Sequence, residues 1–298
     1  MKLKFWGVRG SIPTPGKSTV RYGGNTPSLE LRLDNDELII FDAGTGIRDF
    51  GDHLIANGES LKTYLLITHP HWDHIQGFPF FKPALISGNE ITIIGTERKD
   101  INLQRIIADQ MNRIYFPVQL NELKAKINFR PIGEEEFTIF GAHVRTIYVN
   151  HPGFTVGYRL EYKGKILVYI SDNEPFDSEA AARLMNFEKI VQEKYLAEKG
   201  DPNQRVFEFA RNADILIHDT TYTPEEYVDK VGWGHSHYLF TIKVAAEANV
   251  KHLVLFHHDP QHNDEKIDDI FEKCQKEIKT KALSFKCTAA REGMELTW

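Results

Sequence analysis

Within ten residues, Thr68-His69-Pro70-His71-Trp72-Asp73-His74-Ile75-Gln76-Gly77, the chain offers three imidazoles and a carboxylate. Imidazole nitrogen and carboxylate oxygen are ligands that Zn, Mn and Fe accept. Pro70 holds the turn extended, so His69 and His71 can point one way while Asp73 and His74 open the next element. One pair of donors then serves one cation and the second pair its neighbour. The competing reading is a solvated His-rich loop. Against it stands the apolar run Tyr64-Leu65-Leu66-Ile67 directly upstream, which reads as a buried strand.

Three later stretches follow the same local logic, a strand that ends on a ligand-type residue. They are Asn150-His151-Pro152 after Ile147-Tyr148-Val149, Ser171-Asp172-Asn173 after Val168-Tyr169-Ile170, and His257-His258-Asp259 after Val254-Leu255-Phe256. Each alone reads as a hydrogen-bonded loop residue. Together with the first cluster they read as ligands gathered at a sheet edge, where a rigid scaffold fixes their geometry. Asp42-Ala43-Gly44-Thr45-Gly46 lies between a strand and a helical pattern in Ile47, Phe50, Leu54 and Ile55. A dinucleotide cradle lacks its third glycine here, and the chain reads as having few βαβ repeats. A tight turn aiming Asp42 at the histidines is the other reading.

The elements that must position these residues follow in order. A first strand surrounds Trp6, and 11–25 form a long loop rich in Gly, Pro and Ser. A hairpin spans 28–33 and 37–41 about Asp34-Asn35-Asp36. Beyond the cluster come a strand at 91–94, a helix at 98–113, and Tyr115-Phe116-Pro117-Val118, aromatics that either cap a pocket or pack in the core. Strands at 127–131, 136–140 and 142–149 precede a hairpin of 155–161 and 165–170. Helices are expected at 176–199, 206–212, 236–248 and 264–279, strands at 213–217 and 252–256, and an edge strand at 294–298. Each half runs from hairpin strands through strands to helices. The expected fold is α/β, two facing sheets with helices on both outer sides, as one domain over 1–298.

With 298 residues, 41% hydrophobic and 26% charged, the chain is ordinary globular material. Its net charge of −6 argues against a general nucleic-acid binder. The two cysteines, Cys274 and Cys287, lie far from the histidines and read as free thiols of a reducing compartment, with a single disulfide between them as the alternative. No stretch approaches a membrane span and the first residues carry no signal-peptide pattern, so a cytoplasmic protein is expected.

The run His69-x-His71-x-Asp73-His74, followed in order by a single His, Asp and His, resembles the signature of the metallo-β-lactamase superfamily, with its four-layer αββα sandwich and two-metal site. The resemblance spans nearly the whole chain. It implies that His69, His71 and His151 hold one metal, that Asp73, His74 and His257 hold the second, and that Asp172 bridges them. His257 is the matching last position, with His258 the alternative beside it. Asp42 matches a family aspartate behind the metals. The cofactors implied are two divalent ions, Zn2+ foremost, with Mn2+ or Fe2+ accepted by the same ligands. His74 is kept in the phosphodiesterase and nuclease branches. Gly234-His235-Ser236-His237 resembles a motif of transfer-RNA 3′-processing nucleases and cyclic-phosphate phosphodiesterases, whose histidine sits by the scissile phosphate. Ser236 is also read as the cap of the helix that follows. Trp6-Gly7-Val8-Arg9-Gly10-Ser11-Ile12-Pro13 and Arg21-Tyr22-Gly23-Gly24-Asn25-Thr26 are similar to the phosphodiesterase branch. Ser11, Asn25, Thr26, Ser236 and His237 are therefore candidates for substrate contact.

The chemistry implied is in-line attack on phosphorus by a hydroxide shared between cations about 3.5–4 Å apart. Asp73 (or Asp172) would take the water's proton, and His235 would serve the leaving oxygen. The expected substrate is a small cyclic phosphodiester, a 3′,5′-cyclic nucleotide first, with Tyr115 and Phe116 able to stack on the base. The alternative is a transfer-RNA 3′-end nuclease. Against it, the interval from His151 to Asp172 leaves no room for the family's RNA-gripping arm. A non-catalytic metal-binding module and a di-iron redox site are the remaining classes. Membrane association and stable nucleic-acid binding are not expected, and a homodimer is common in this branch.

Overall fold

The computed structural model describes residues 1–97, 100–176, 201 and 203–298. The chain divides into two compact units, Met1–Gly133 with Arg291–Trp298, and Glu134–Ala290. The amphipathic segment expected at 176–199 lies outside the described residues, apart from Phe176.

The first unit is a seven-stranded sheet. Its strands are β1 Lys2–Gly7, β2 Ser28–Arg32, β3 Leu38–Phe41, β4 Lys62–Leu66, β5 Glu90–Thr96, β6 Lys126–Ile132 and, from the far end of the chain, β14 Glu295–Thr297. They lie in the order β14-β1-β2-β3-β4-β5-β6. The edge through β3 is antiparallel, and β3 to β6 run parallel. β3 is buried along its whole length (Leu38-Ile39-Ile40-Phe41), as a parallel strand covered on both faces requires. Leu38 and Ile40, two apart and so on one face, pack with Ile47, Phe50 and Leu54 of helix α1, Gly46–Ala56. Trp6 stacks on Phe50 at 5.1 Å and donates its indole N–H to Glu30 at 2.9 Å.

The expectation of few βαβ repeats is corrected here, since three parallel crossovers follow one another. Helix α1 and a helix within 98–113 were expected, but the piece after β4 was not, because it is short. Helix α2 is Trp72–Ile75 and α3 is Leu103–Asp109, four and seven residues. Residues 98 and 99 of the helix expected at 98–113 lie outside the described residues, and the rest narrows to α3, whose ends are fixed by side chains. Asn102 accepts from the Arg105 N–H at 2.8 Å as the N-cap. Beyond α3, Asn112 accepts from the Ile114 N–H and turns the chain away.

The second unit repeats the plan. Its strands are β7 Glu136–Ile139, β8 Ala142–Tyr148, β9 Val156–Tyr162, β10 Lys165–Ile170, β11 Ile215–Asp219, β12 His252–Phe256 and β13 Lys286–Ala289, ordered from β13 to β7. An antiparallel meander leads into parallel β10 to β13. Helices α4 Gln204–Ala210, α5 Pro224–Tyr227, α6 Tyr238–Glu247 and α7 Asp264–Thr280 follow the strands. Phe207, Ile242, Ala245, Ile270 and Cys274 share one core with Val168, Leu216 and Leu253. Cys274 and Cys287 are buried and unbonded, and burial pushes the Cys287 thiol up to about 12. Among the described residues no helix is long and apolar enough to cross a membrane.

Parallel strands send all their C-terminal ends to one edge, and open α/β sheets bind ligands outside that edge. In the first unit that edge carries Asp42 and the His69–His74 segment. In the second it carries Asp172, Asp219 and His257.

Candidate functional site

In the first unit the ligand segment begins three residues past β4. His71 keeps extended backbone (ψ 150°) as the N-cap of α2, so Asp73 and His74 sit on the helix's first turn. The four donors lie close together, His69 with both His71 and His74. His69 Nε2 lies 2.8 Å from His71 Nδ1, and His74 Nε2 lies 3.3 Å from Asp73 Oδ2. Asp42, fully buried and the first residue past β3, faces His74 Nδ1 at 2.9 Å. A carboxylate only accepts, so Nδ1 carries the hydrogen and Nε2 the lone pair. Asp42 also accepts from the Thr68 N–H at 2.8 Å and the Thr68 hydroxyl, whose oxygen is 3.1 Å from His69 Nδ1.

The glycine turn after Asp42 leaves no space for a phosphate. A Cβ on Gly44 would lie 2.3 Å from the Asp73 carbonyl oxygen. Its glycine is the price of packing one turn directly on the ligand helix. The dinucleotide reading is therefore set aside in favour of the turn that aims Asp42.

Ser11 reaches this edge through its backbone. Its N–H donates to Asp73 Oδ2 at 2.8 Å, from a left-handed conformation (φ 63°), while its side chain is exposed. Asn25 is tied to Glu292 and accepts from the Thr45 hydroxyl. Thr26 is fully buried, its hydroxyl accepting from the Thr45 N–H and from Gln76. Both side chains are committed to holding the loop.

In the second unit the carboxylate of Asp172, two residues past β10, is the centre. His257 Nε2 is 3.4 Å, His235 Nδ1 3.7 Å and His151 Nε2 3.8 Å from Asp172 Oδ2. His151 donates from Nδ1 to the Gly234 carbonyl at 2.8 Å, which again leaves the lone pair on Nε2. His257 Nδ1 meets the Thr221 hydroxyl at 3.2 Å, and that hydroxyl donates to Asp219 at 2.7 Å. His258 turns elsewhere, its Nε2 against the Ala290 carbonyl at 2.8 Å. Like Asp42, His257 ends its strand in left-handed backbone, at φ 63° against 56°. For residues with a Cβ this is strained and is retained at sites that need it.

Asp219 is the residue that sequence reasoning missed. It closes β11 with the same signal as Asp172, an apolar run ending on a carboxylate, and is fully buried. Its oxygens accept from the Thr221 N–H and hydroxyl, from the Asn173 N–H at 3.1 Å and from His235 Nδ1 at 2.9 Å. His235 stacks on His257 with centroids 4.8 Å apart. Glu174 was also missed. Its carboxylate accepts from the Gly232 and Gly234 N–H groups and from the Tyr227 hydroxyl, clamping the turn that delivers His235. Burial raises its pKa against the pull of those donors. Gly234 itself stands at φ 87°, where a Cβ would come 2.4 Å from His151 Nδ1.

Ser236 is not the helix cap. Helix α6 starts at Tyr238 with His237 as the N-cap, and the Ser236 hydroxyl donates to the buried Asn173 carbonyl. His237 lies half-buried beside Tyr227, ring centroids 5.0 Å apart.

These donor sets fit divalent cations. In His74, His151 and His257 the outer nitrogen is taken by a carboxylate, a carbonyl or a hydroxyl, and Nε2 is presented inward, the arrangement that orients metal-ligating histidines. His235 on Asp219 shares it, so the pattern alone does not separate an acid from a ligand.

Comparison with known proteins places the chain. The family model of the β-lactamase superfamily domain matches residues 38–201, more than half of the sequence. Ribonuclease Z of Thermoplasma acidophilum is 25% identical, over 93% of this chain and 92% of its own. Among solved structures, the metallo-β-lactamase fold protein YhfI of Bacillus subtilis superposes with a TM-score of 0.68 at 16% identity, covering 99% of both chains. Yeast PDE1 gives 0.65 at 15% identity, covering 100% of this chain and 99% of its own. The two mixed sheets with their flanking helices are thus the α/β fold of the metallo-β-lactamase type. By its sequence over 38–201 and by its fold, the chain belongs to the β-lactamase superfamily.

Proposed function

We propose that the chain is a metal-dependent phosphodiesterase acting on a small cyclic phosphodiester, a 3′,5′-cyclic nucleotide first. The ligands of this reading are His69, His71 and His151 for one cation and Asp73, His74 and His257 for the other, with Asp172 serving both. When bound, the cations supply an activated water and positive charge for the phosphoryl oxygens.

The chain's own residues do the rest. Asp73, its Oδ2 held by the Ser11 N–H, takes the proton of the attacking water. The P–O ester bond opposite the water breaks, and the ring of the diester opens. His235 in its protonated form keeps one N–H on Asp219 and gives the other, from Nε2, to the departing oxygen. Such a proton transfer contributes about 10²–10⁴-fold. The observation that carries the reading is this imidazole, anchored on Asp219, stacked on His257 and beside Asp172.

The small substrate is favoured by the stretch between His151 and Asp172. It holds only β9, the turn Lys163-Gly164 and β10. A second reading, endonuclease action at the 3′ end of transfer RNA, draws on the relative named Ribonuclease Z.

The test is a panel of phosphodiesters offered to metal-stripped protein with Zn2+ or Mn2+ restored. We expect no turnover without metal, and saturable turnover of a cyclic mononucleotide with it. Cleavage of a precursor transfer RNA, with an affinity that falls steeply with salt, would install the second reading instead.

A further inference from the structure

A groove of about 640 Å³ opens in the first unit beside the ligand segment. Pro70 and Trp72, the two neighbours of His71, line it together with Tyr115 and Phe116. Phe80 and Phe116 meet edge to face across it at 5.2 Å. Trp72 and Tyr115 are 77% and 78% exposed, an unusual position for two large rings facing one hollow. Its size is that of a small-molecule pocket, and such pockets pair apolar walls with a few polar groups. The polar side chains that line the groove are Gln76, Asp109 and Gln110, and Gln110 is the one with an unmade hydrogen bond. Its amide nitrogen is buried and has no hydrogen-bond partner among the described residues. A buried donor left unmade costs free energy that a ligand acceptor recovers.

We infer that this groove is the nucleobase subsite of the substrate. The inference rests on the phosphodiesterase reading and names its substrate class, a diester that carries a heteroaromatic base. A base is flat, has two π faces for Trp72 and Tyr115, and bears ring nitrogens that accept from the Gln110 amide. One sugar separates base from phosphate. The base must therefore bind within a sugar's reach of the ligand segment, and Pro70 and Trp72 flank the ligand-type residue His71 directly. An acyl chain would fill the same apolar walls but offer Gln110 nothing.

The test compares 3′,5′-cyclic AMP with the 3′,5′-cyclic phosphate of methyl riboside, which has the diester and no base. Metal-loaded native protein, Tyr115→Ala and Gln110→Leu are assayed on both. Adenosine is titrated separately into metal-free protein by tryptophan fluorescence, with Trp72→Phe identifying the responding ring. Stacking on one aromatic ring leads us to expect Tyr115→Ala to raise KM for cyclic AMP about tenfold. It should weaken adenosine as much and leave kcat/KM for the baseless diester unchanged. Gln110→Leu should act the same way and less strongly.

Absence of any adenosine signal overturns the subsite even if cyclic AMP is hydrolysed. So does equal slowing of both diesters in Tyr115→Ala. A dimer that Tyr115→Ala converts to monomers would hand the groove to a second copy of the chain, and overturns it too. Adenosine binding that needs Tyr115, with neither diester hydrolysed, would instead sink the phosphodiesterase reading and leave the base site standing.

Discussion

Replacing His235 by Ala is expected to lower kcat about 10²–10⁴-fold while the protein keeps its full complement of metal. The side chain is anchored at one nitrogen by Asp219 and braced against His257, so its truncation removes an acid and no strand contact. Elemental analysis of the purified variant beside its steady-state kinetics decides the matter. Loss of bound metal in proportion to activity would make His235 a ligand. Full activity would remove it from the reaction. Its placement on a clamped turn also predicts how the loss divides. KM should change little, because the proton matters at bond cleavage more than in binding the diester.

The second large effect is expected at Asp219. Four donors converge on this one buried carboxylate: two from Thr221, one from Asn173 and one from His235. Asp219→Ala leaves them facing a hole, and removing one partner from a buried charged network typically costs about 3–5 kcal/mol. In a chain of this size that is roughly 10 °C of melting temperature, read by calorimetry. Asp219→Asn separates structure from chemistry. It keeps the shape and loses the negative charge that His235 Nδ1 faces. The expected result is a loss of stability smaller than that of Asp219→Ala, since the amide turns its NH2 toward one of the backbone donors, with a fall in kcat of about a hundredfold or more. If the Asn variant turns over normally while His235→Ala does not, Asp219 is a structural residue only.

The segment His69–His74 was legible as a candidate site because its chemistry is compressed. His69, His71, Asp73 and His74 follow one strand at once, and no other fold demand explains such density. Strand ends made His151, Asp172 and His257 legible for a related reason, since each follows a short apolar run. Asp219 has that same signature. It went unread because it stands as the last residue of its strand and is followed by two threonines, which look like an ordinary turn. Glu174 could not be read at all. Its partners Gly232 and Gly234 lie 58 and 60 residues downstream, and nothing local announces the contact. Ser236 failed for the opposite reason. A helix-capping rule was satisfied in sequence, but the Asn173 carbonyl, 63 residues away, has the stronger claim on that hydroxyl. The parallel strands were under-read because α2, between β4 and β5, is too short to display a helical period. Local chemistry is written in runs of neighbours, and the orienting shell is written in long loops of chain.

Asp42 and His257 each close a strand with a backbone torsion that side-chain-bearing residues avoid, at a cost on the order of 1–3 kcal/mol apiece. At those two places glycine is the easiest replacement for the main chain and among the worst for the chemistry. At position 42 the relief is outweighed by the Thr68 and His74 donors that a glycine would strand, so the side chain holds its own strained torsion in place.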